Sequence, residues 1–249
     1  MHEEYVLELS GITKTFPGVR ALDRVSFQVR KGTVHSLVGE NGAGKSTLMK
    51  VINGMYRANE GTISVRGKVE NITSPGIAEG LGIAMIFQEL VYVPGLTVAE
   101  NLCLGHHPVT GLGLVDWKKI NRDAQELLDR EQIDVKATAI MAEVSISDAQ
   151  MIEIAKATNK GANIVIMDEP TSSLTQHESE RLFKKIRELR EKGCAVIYIS
   201  HKMEEVFRMS DYITIMRDGH SVQTGPISGF DEQKVISAMV GRSVENIYP

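Results

Sequence analysis

The sequence predicts an α/β fold with a parallel sheet at its centre. Three observations carry that expectation. Short apolar stretches such as Ile164–Met167 and Cys194–Ser200 alternate with amphipathic ones. A glycine-rich loop, Gly39–Gly44, sits between an apolar stretch and a helical one. The first 30 residues alternate with period two, which adds antiparallel sheet at the start. With 249 residues and 27.4 kDa the chain suits one large domain or two small ones, each able to bury a core.

The elements follow in order. Tyr5, Leu7 and Leu9 share one face, as do Val25, Phe27 and Val29, so this region reads as strands. A strand over Thr33–Val38 leads into the glycine loop, and Lys45–Asn53 reads as a helix stopped by Gly54. Thr62–Val65 and Lys68–Val69 flank Arg66-Gly67 as a hairpin, and Gly82–Gln88 is a short strand with a polar exit. From about Leu90 to Gly161 the pattern is helical. Asp116–Arg130 aligns Ile120, Ala124, Leu127 and Leu128, and Asp148–Asn159 aligns Met151, Ile154 and Ala155. The strand Ile164–Met167 comes next. Thr175 and Glu178 form a capping box that opens a helix with Leu182, Phe183, Ile186 and Leu189 inward, ended by Gly193. Cys194–Ser200 is a buried strand, and Tyr212–Arg217 and Ser221–Thr224 are strands joined at Asp218-Gly219. No internal repeat and no low-complexity linker interrupts this order.

Composition excludes several classes. Hydrophobic residues at 42% and charged residues at 24% argue against a disordered or fibrous chain. No apolar run approaches the ~20 residues of a spanning helix, and the start lacks the basic-then-apolar pattern of a secretory signal. A net charge of −4 and a pI near 6.0 argue against a nucleic-acid partner. Cys103 and Cys194 have no metal-ligand spacing and read as two free thiols.

The loop Gly39-Glu-Asn41-Gly42-Ala43-Gly44-Lys45-Ser46, followed by Thr47, fits G-x-x-x-x-G-K-[ST]. Its glycines let successive backbone N–H groups curl around phosphate oxygens, and the helix beginning near Lys45 aims its positive end at the same anion. Lys45 is placed to reach β and γ oxygens, and the Ser46 hydroxyl to ligate Mg²⁺. The strand Ile164–Met167 ends in Asp168-Glu169. Ligands sit beyond the carboxyl ends of strands in such sheets. Asp168 is therefore expected to hold Mg²⁺ through water, and Glu169 to polarise the attacking water. Gln88 follows the apolar Ile83–Phe87, and Ser200 and His201 follow Ala195–Ile199. The shared placement at strand ends is what singles them out for the γ-phosphate or its metal.

The cradle, Gln88, Asp168-Glu169-Pro170-Thr171 and His201 resemble, in this order, the nucleotide-binding domains of ABC transporters, over nearly the whole chain. Met167–Thr175 and Tyr198–Glu205 are similar to the ATPases of bacterial monosaccharide importers of the ribose, galactose and xylose type. The resemblance implies a P-loop NTPase (RecA-like) parallel-sheet core, with an antiparallel β subdomain and an inserted α-helical subdomain. Core and β parts cover about 1–88 and 162–249, and the helical part about 89–161. It implies ATP and Mg²⁺ as cofactors, with Ser46, Gln88 and Asp168 about the metal and Lys45, Glu169 and His201 in catalysis. Phe16 matches the aromatic that stacks on adenine, Ser172–Thr175 the loop that crosses to the opposite domain, and His201 the switch histidine at the γ-phosphate.

One segment departs from the pattern. The family's signature, Leu-Ser-Gly-Gly-Gln, embraces the γ-phosphate bound by the opposite domain. Here Val144-Ser145-Ile146-Ser147-Asp148 stands in its place. Ser145 is kept and can cap a helix aimed at a phosphate, while Ser147 replaces a glycine that permits close approach. The site completed by this segment is expected to be the weaker one.

The resemblance further implies partners: a second ATP-binding domain, in tandem or as a dimer, an integral-membrane sugar permease, and indirectly a periplasmic or extracellular sugar-binding protein. It implies a peripheral place on the cytoplasmic face of the bacterial inner membrane. The closing Met239-Val-Gly-Arg242-Ser243 resembles the end of a first domain, so the chain reads as the N-terminal half of a tandem protein. An isolated half is expected to bind Mg-ATP and turn it over slowly. Two other classes compete. A soluble ATP switch acting on ribosomes or DNA needs a basic surface or a long coiled-coil arm. A small-molecule kinase needs an acceptor site and a lid. The sequence offers none of these.

Overall fold

The computed structural model describes residues 5–111 and 113–241. Arg242 and Ser243 of the closing motif lie outside them. β1 (Tyr5–Phe16) and β2 (Val19–Arg30) form the expected antiparallel pair. β4 (Glu60–Val65) and β5 (Lys68–Glu70) complete a four-stranded sheet in the order β2-β1-β4-β5. Arg66 and Gly67 both have positive φ, 51° and 76°, the primed turn that matches strand twist.

The second sheet has six strands in the order β10-β9-β3-β8-β7-β6. They are β3 (Val34–Val38), β6 (Ile83–Ile86), β7 (Ile164–Asp168), β8 (Ala195–Ile199), β9 (Tyr212–Arg217) and β10 (His220–Pro226). All neighbours are parallel except β9 and β10. This sheet is covered on both faces, and side-chain parity divides its strands between two cores. Val165, Met167, Val196 and Tyr198 pack toward the helical side. Ile164, Ile166, Ala195, Ile197 and Ile199 pack toward the antiparallel sheet and α1 (Lys45–Ile52). The loss of period two in these strands is thus burial on both faces, not helix.

Between β5 and β6 lies α2 (Pro75–Gly80), whose Ser74 accepts from the Ile77 amide with Pro75 in the first turn. The helical region holds α3 (Val98–Leu102), α4 (Trp117–Arg130) and α5 (Ile146–Asn159). Asp116 caps α4, and Ile120, Ala124, Leu127 and Leu128 are its buried face. α5 starts two residues before the expected Asp148, because Ser145 itself is the cap and Asp148 lies inside the first turn. α6 (Gln176–Glu191) carries the complete Thr175–Glu178 capping box. α7 (Met203–Met209) and α8 (Glu232–Val240) close the fold against β9 and its neighbours, burying Val206 and Val235 with Val38, Ile213 and Ile215. No described helix is long and apolar enough to cross a membrane. Both cysteines are free thiols, with Cys194 buried.

Candidate functional site

Strand register brings the site together. In the parallel sheet Leu37 pairs with Ile199, and Ile199 pairs with Asp168. The loops leaving β3, β8 and β7 therefore start side by side at one edge. They carry the glycine loop, Ser200-His201 and Glu169.

The glycine loop is built by exclusion of side chains. Gly39 is buried, and a Cβ there would lie 2.4 Å from the Met216 carbonyl oxygen. Gly44 has φ 100°, and its Cβ would lie 2.7 Å from the Ala21 carbonyl oxygen. Ala43 is buried, and Asn41, Gly42 and Ser46 are exposed at the loop's mouth, with Thr47 half-buried behind them. Gly44 is the N-cap of α1, with no side-chain cap bond and no acidic residue in the first turn. The helix thus starts with its first N–H groups unclaimed by side chains, beside the positive end of its dipole.

Lys45 folds back over this loop. Its Nζ donates to the Gly39 and Glu40 carbonyl oxygens at 2.7 and 3.0 Å. Burial lowers its pKa, opposed by the charges of Glu169 and Asp168. Across the loop, burial and the Glu169 charge raise the Asp168 carboxyl, partly offset by Lys45 and Lys50. Asp168 and Glu169 thus repel each other at the strand end, and Lys45 offsets part of that charge.

Glu169 follows in left-handed backbone, φ 46°, and its N–H donates to the Ile199 carbonyl. Its Oε1 lies 3.2 Å from His201 Nδ1; the histidine is exposed and the glutamate mostly covered. The pair bridges the exits of β7 and β8.

The structure therefore gathers Gly39, Asn41, Gly42, Ala43, Gly44, Lys45, Ser46, Thr47, Asp168, Glu169 and His201 at one edge. The remaining candidates, Phe16, Gln88, Ser145 and Ser147, are not carried by those three strand exits. Phe16 ends β1, packed edge-on against Tyr56 at 5.2 Å with the Lys14 ammonium 5.0 Å over its ring. Gln88 is exposed, two residues past β6, the strand beyond β7. Ser145 caps α5, accepting from the Asp148 amide at 3.1 Å and donating to its carboxylate at 2.8 Å. The other Asp148 oxygen meets Arg181 of α6 at 2.5 Å, and Ser147 is buried.

Sequence reading missed Glu205 on α7. Its carboxylate accepts from Thr171, Tyr198 and Ser200, residues near Glu169 and His201 in the chain. Tyr198 and Ser200 lie within seven residues of Glu205, but Thr171 is 34 residues away and is brought to it only by the pairing of β7 with β8.

The sequence profile of the family described as "ABC transporter" matches residues 22–172. The chain is similar to the galactose/methyl galactoside import ATP-binding protein MglA of Escherichia coli (strain K12). The two are 48% identical over 246 residues, covering 99% of this chain and 48% of that protein. The MglA of Salmonella typhimurium matches at the same identity and coverage. The chain thus spans about half the length of the curated relatives it matches. Among solved structures it resembles a nucleotide-free ATP-binding cassette from an ABC transporter, with TM-score 0.81, 26% identity and 98% and 99% of the two chains covered. A cassette in its ADP conformation matches with TM-score 0.81 and 27% identity over 96% and 99%. The glycine cradle and the acidic strand end facing it are what such a likeness requires, and the chain belongs to the ABC transporter family, as a nucleotide-binding cassette.

Proposed function

We propose that this chain binds and hydrolyses ATP to power import of a monosaccharide through a membrane permease. The observation that carries the reading is the meeting of the Gly39–Ser46 cradle with Asp168, Glu169 and His201 at one sheet edge. In this reading the loop amides and Lys45 hold the phosphate tail, and Lys45 exchanges its carbonyl partners for β and γ oxygens. Phe16 offers an aromatic face to the base. Glu169 takes the proton of the attacking water at its carboxylate, and His201 steadies the γ-phosphate while its Nδ1 keeps Glu169 in place.

A magnesium ion fits the donor set. The Ser46 hydroxyl and the Asp168 carboxylate are hard oxygen donors beside the loop, with Gln88 as a third candidate. Among the described residues no group of three or more His, Cys, Asp or Glu could hold a metal alone. When bound, it would neutralise charge on the β and γ phosphates.

Closure needs a second ATP-binding domain, supplied in tandem or by a dimer partner. The γ-phosphate then makes contacts in the closed state that it lacks in the open one, and its removal reopens the pair. Ser145 and Ser147 would serve the nucleotide held by that other domain. A groove of about 920 Å³ between α2 and the helical region, bounded by Glu79, Leu102, His106 and Lys156, would receive a permease helix at the cytoplasmic face of the inner membrane. The segment 89–161 acts here as the helical insert, and the sugar-binding protein acts only through the permease. The similarity to MglA supports a monosaccharide cargo. The test is Glu169→Gln. ATP affinity by calorimetry stays near wild type while turnover falls about 100-fold or more; unchanged turnover removes Glu169 from the reaction.

A further inference from the structure

A further carboxylate bonds the residues that flank Glu169 and His201 in the chain. Glu205 sits one turn into the region after β8, its side chain only 12% exposed. Thr171 Oγ1, two residues past Glu169, donates to both of its oxygens at 2.8 Å. From the β8 side, the Tyr198 hydroxyl donates at 2.7 Å and Ser200 Oγ at 3.2 Å. Lys202 Nζ lies 3.2 Å from Oε1 and also donates to the Thr171 carbonyl at 3.2 Å. Thr171, Tyr198 and Ser200 are all buried. One side chain thus gathers donors from both strand exits that present the reacting pair. Thr171 follows Glu169 closely, and Ser200 immediately precedes His201.

We propose that Glu205 is a positioning residue for hydrolysis, fastening the β7 exit to the β8 exit so that Glu169 and His201 keep one relative geometry. The inference rests on the reading of that pair as the hydrolytic one. Its physical basis is twofold. Glu169 stands in left-handed backbone, which is strained for glutamate and persists only where its surroundings over-determine it. The bonds that could do so are the Glu169 amide to Ile199 and the Thr171 hydroxyl to Glu205. A buried, fully partnered polar cluster is also stiff, because any shift strands a donor in low dielectric. Burial pushes the Glu205 carboxyl upward, but hydrogen bonds from Tyr198, Thr171 and Lys202 outweigh it and hold the carboxyl below its ordinary value. Glu205 is therefore the ionised acceptor these donors require.

Glu205→Gln keeps the volume but turns one acceptor into an NH2 facing donors, so at least one partner is orphaned. The test compares this variant with wild type in the protein at its full natural length. The expected result is a fall in kcat of about 10- to 100-fold, with ATP affinity by calorimetry within about three-fold, since the Gly39–Ser46 loop is untouched. Combined with His201→Ala, it should cost no more than His201→Ala alone, because both act through one pair. Unchanged kcat, an equal loss of affinity and kcat, or losses that multiply in the double variant each overturn the proposal. Where Glu205→Gln does not purify folded, Thr171→Val carries the same test by the same criteria, removing only the tether on the Glu169 side. If Glu169→Gln and His201→Ala leave turnover intact, the functional reading fails and this inference falls with it. If those two abolish turnover while Glu205→Gln does not, this inference alone is wrong.

Discussion

Helix α1 begins at Gly44 with no side-chain cap and no acid in its first turn, whereas α5 begins at Ser145 with its own hydroxyl and the Asp148 carboxylate already in place. Both ends carry the same backbone dipole. The difference lies in what fills them. At α1 the residues that would cap are glycines, so the first amides remain for an incoming anion. At α5 the Ser145 oxygen already accepts the Asp148 amide, while the Asp148 carboxylate takes the Ser145 hydroxyl and Arg181. A helix end is an anion site only where the sequence declines to cap it. In the reading proposed above, α5 must offer itself to a phosphate on another domain with a carboxylate already beside it and Ser147 where the family has glycine, so the site it completes is the weaker of the two.

The comparison can be broken at α1 first. Lys45→Ala removes the one side-chain cation folded over the loop. ATP binding by calorimetry is expected to weaken about 100-fold or more, the scale of a lost charge-assisted contact; retained affinity would mean that the uncapped end suffices alone. The next largest effect lies at α5. Ser145→Ala deletes the cap and should cost about 1 kcal/mol, read as a fall in melting temperature of about 2–4 °C. No fall would show that the Asp148 amide gains nothing from the Ser145 oxygen.

The smallest effect contrasts the two acids that face these helix ends. Asp148 is matched by Arg181, but Asp168 is not matched in the same way. Burial and the Glu169 charge hold its pKa above the ordinary 3.8. A pKa raised in the fold means that ionisation disfavours the folded state, so this contribution is present at low pH and lost as the pH climbs through the folded value. Asp168→Asn should therefore raise the melting temperature of nucleotide-free protein above about pH 4, with the gap closing below it. The opposite sign would show that Lys45 and Lys50 outweigh burial.

Much of this was legible in the sequence because its signals are local. The glycine loop, the Thr175–Glu178 box and the Asp218-Gly219 turn each occupy a few adjacent residues, and the fold realises all three. Periodicity does not reveal α3 and α8, although both carry local signals: Thr97 with Glu100 is a complete capping box, and Asp231 caps α8 ahead of a left-handed Gly241. Their apolar faces are too short to show a period. The apolar spacing alone starts the helix after the altered signature at Asp148, whereas Asp148 is its third residue. Strand order and the Thr171–Glu205 bond were beyond reach for a different reason. Both depend on which strands lie side by side, and β3 joins β8 and β9 across most of the chain.

The left-handed turn at Glu169 bears on how a trapped form of this protein should be engineered. Asparagine adopts that backbone more readily than glutamate or glutamine. A shortened amide there would relax the chain as well as silence the chemistry, and added heat resistance in such a mutant would report the relaxation rather than tighter nucleotide retention. Glutamine, which inherits the same awkward φ, is the cleaner tool, and the fold keeps glutamate there against the preference of its own backbone.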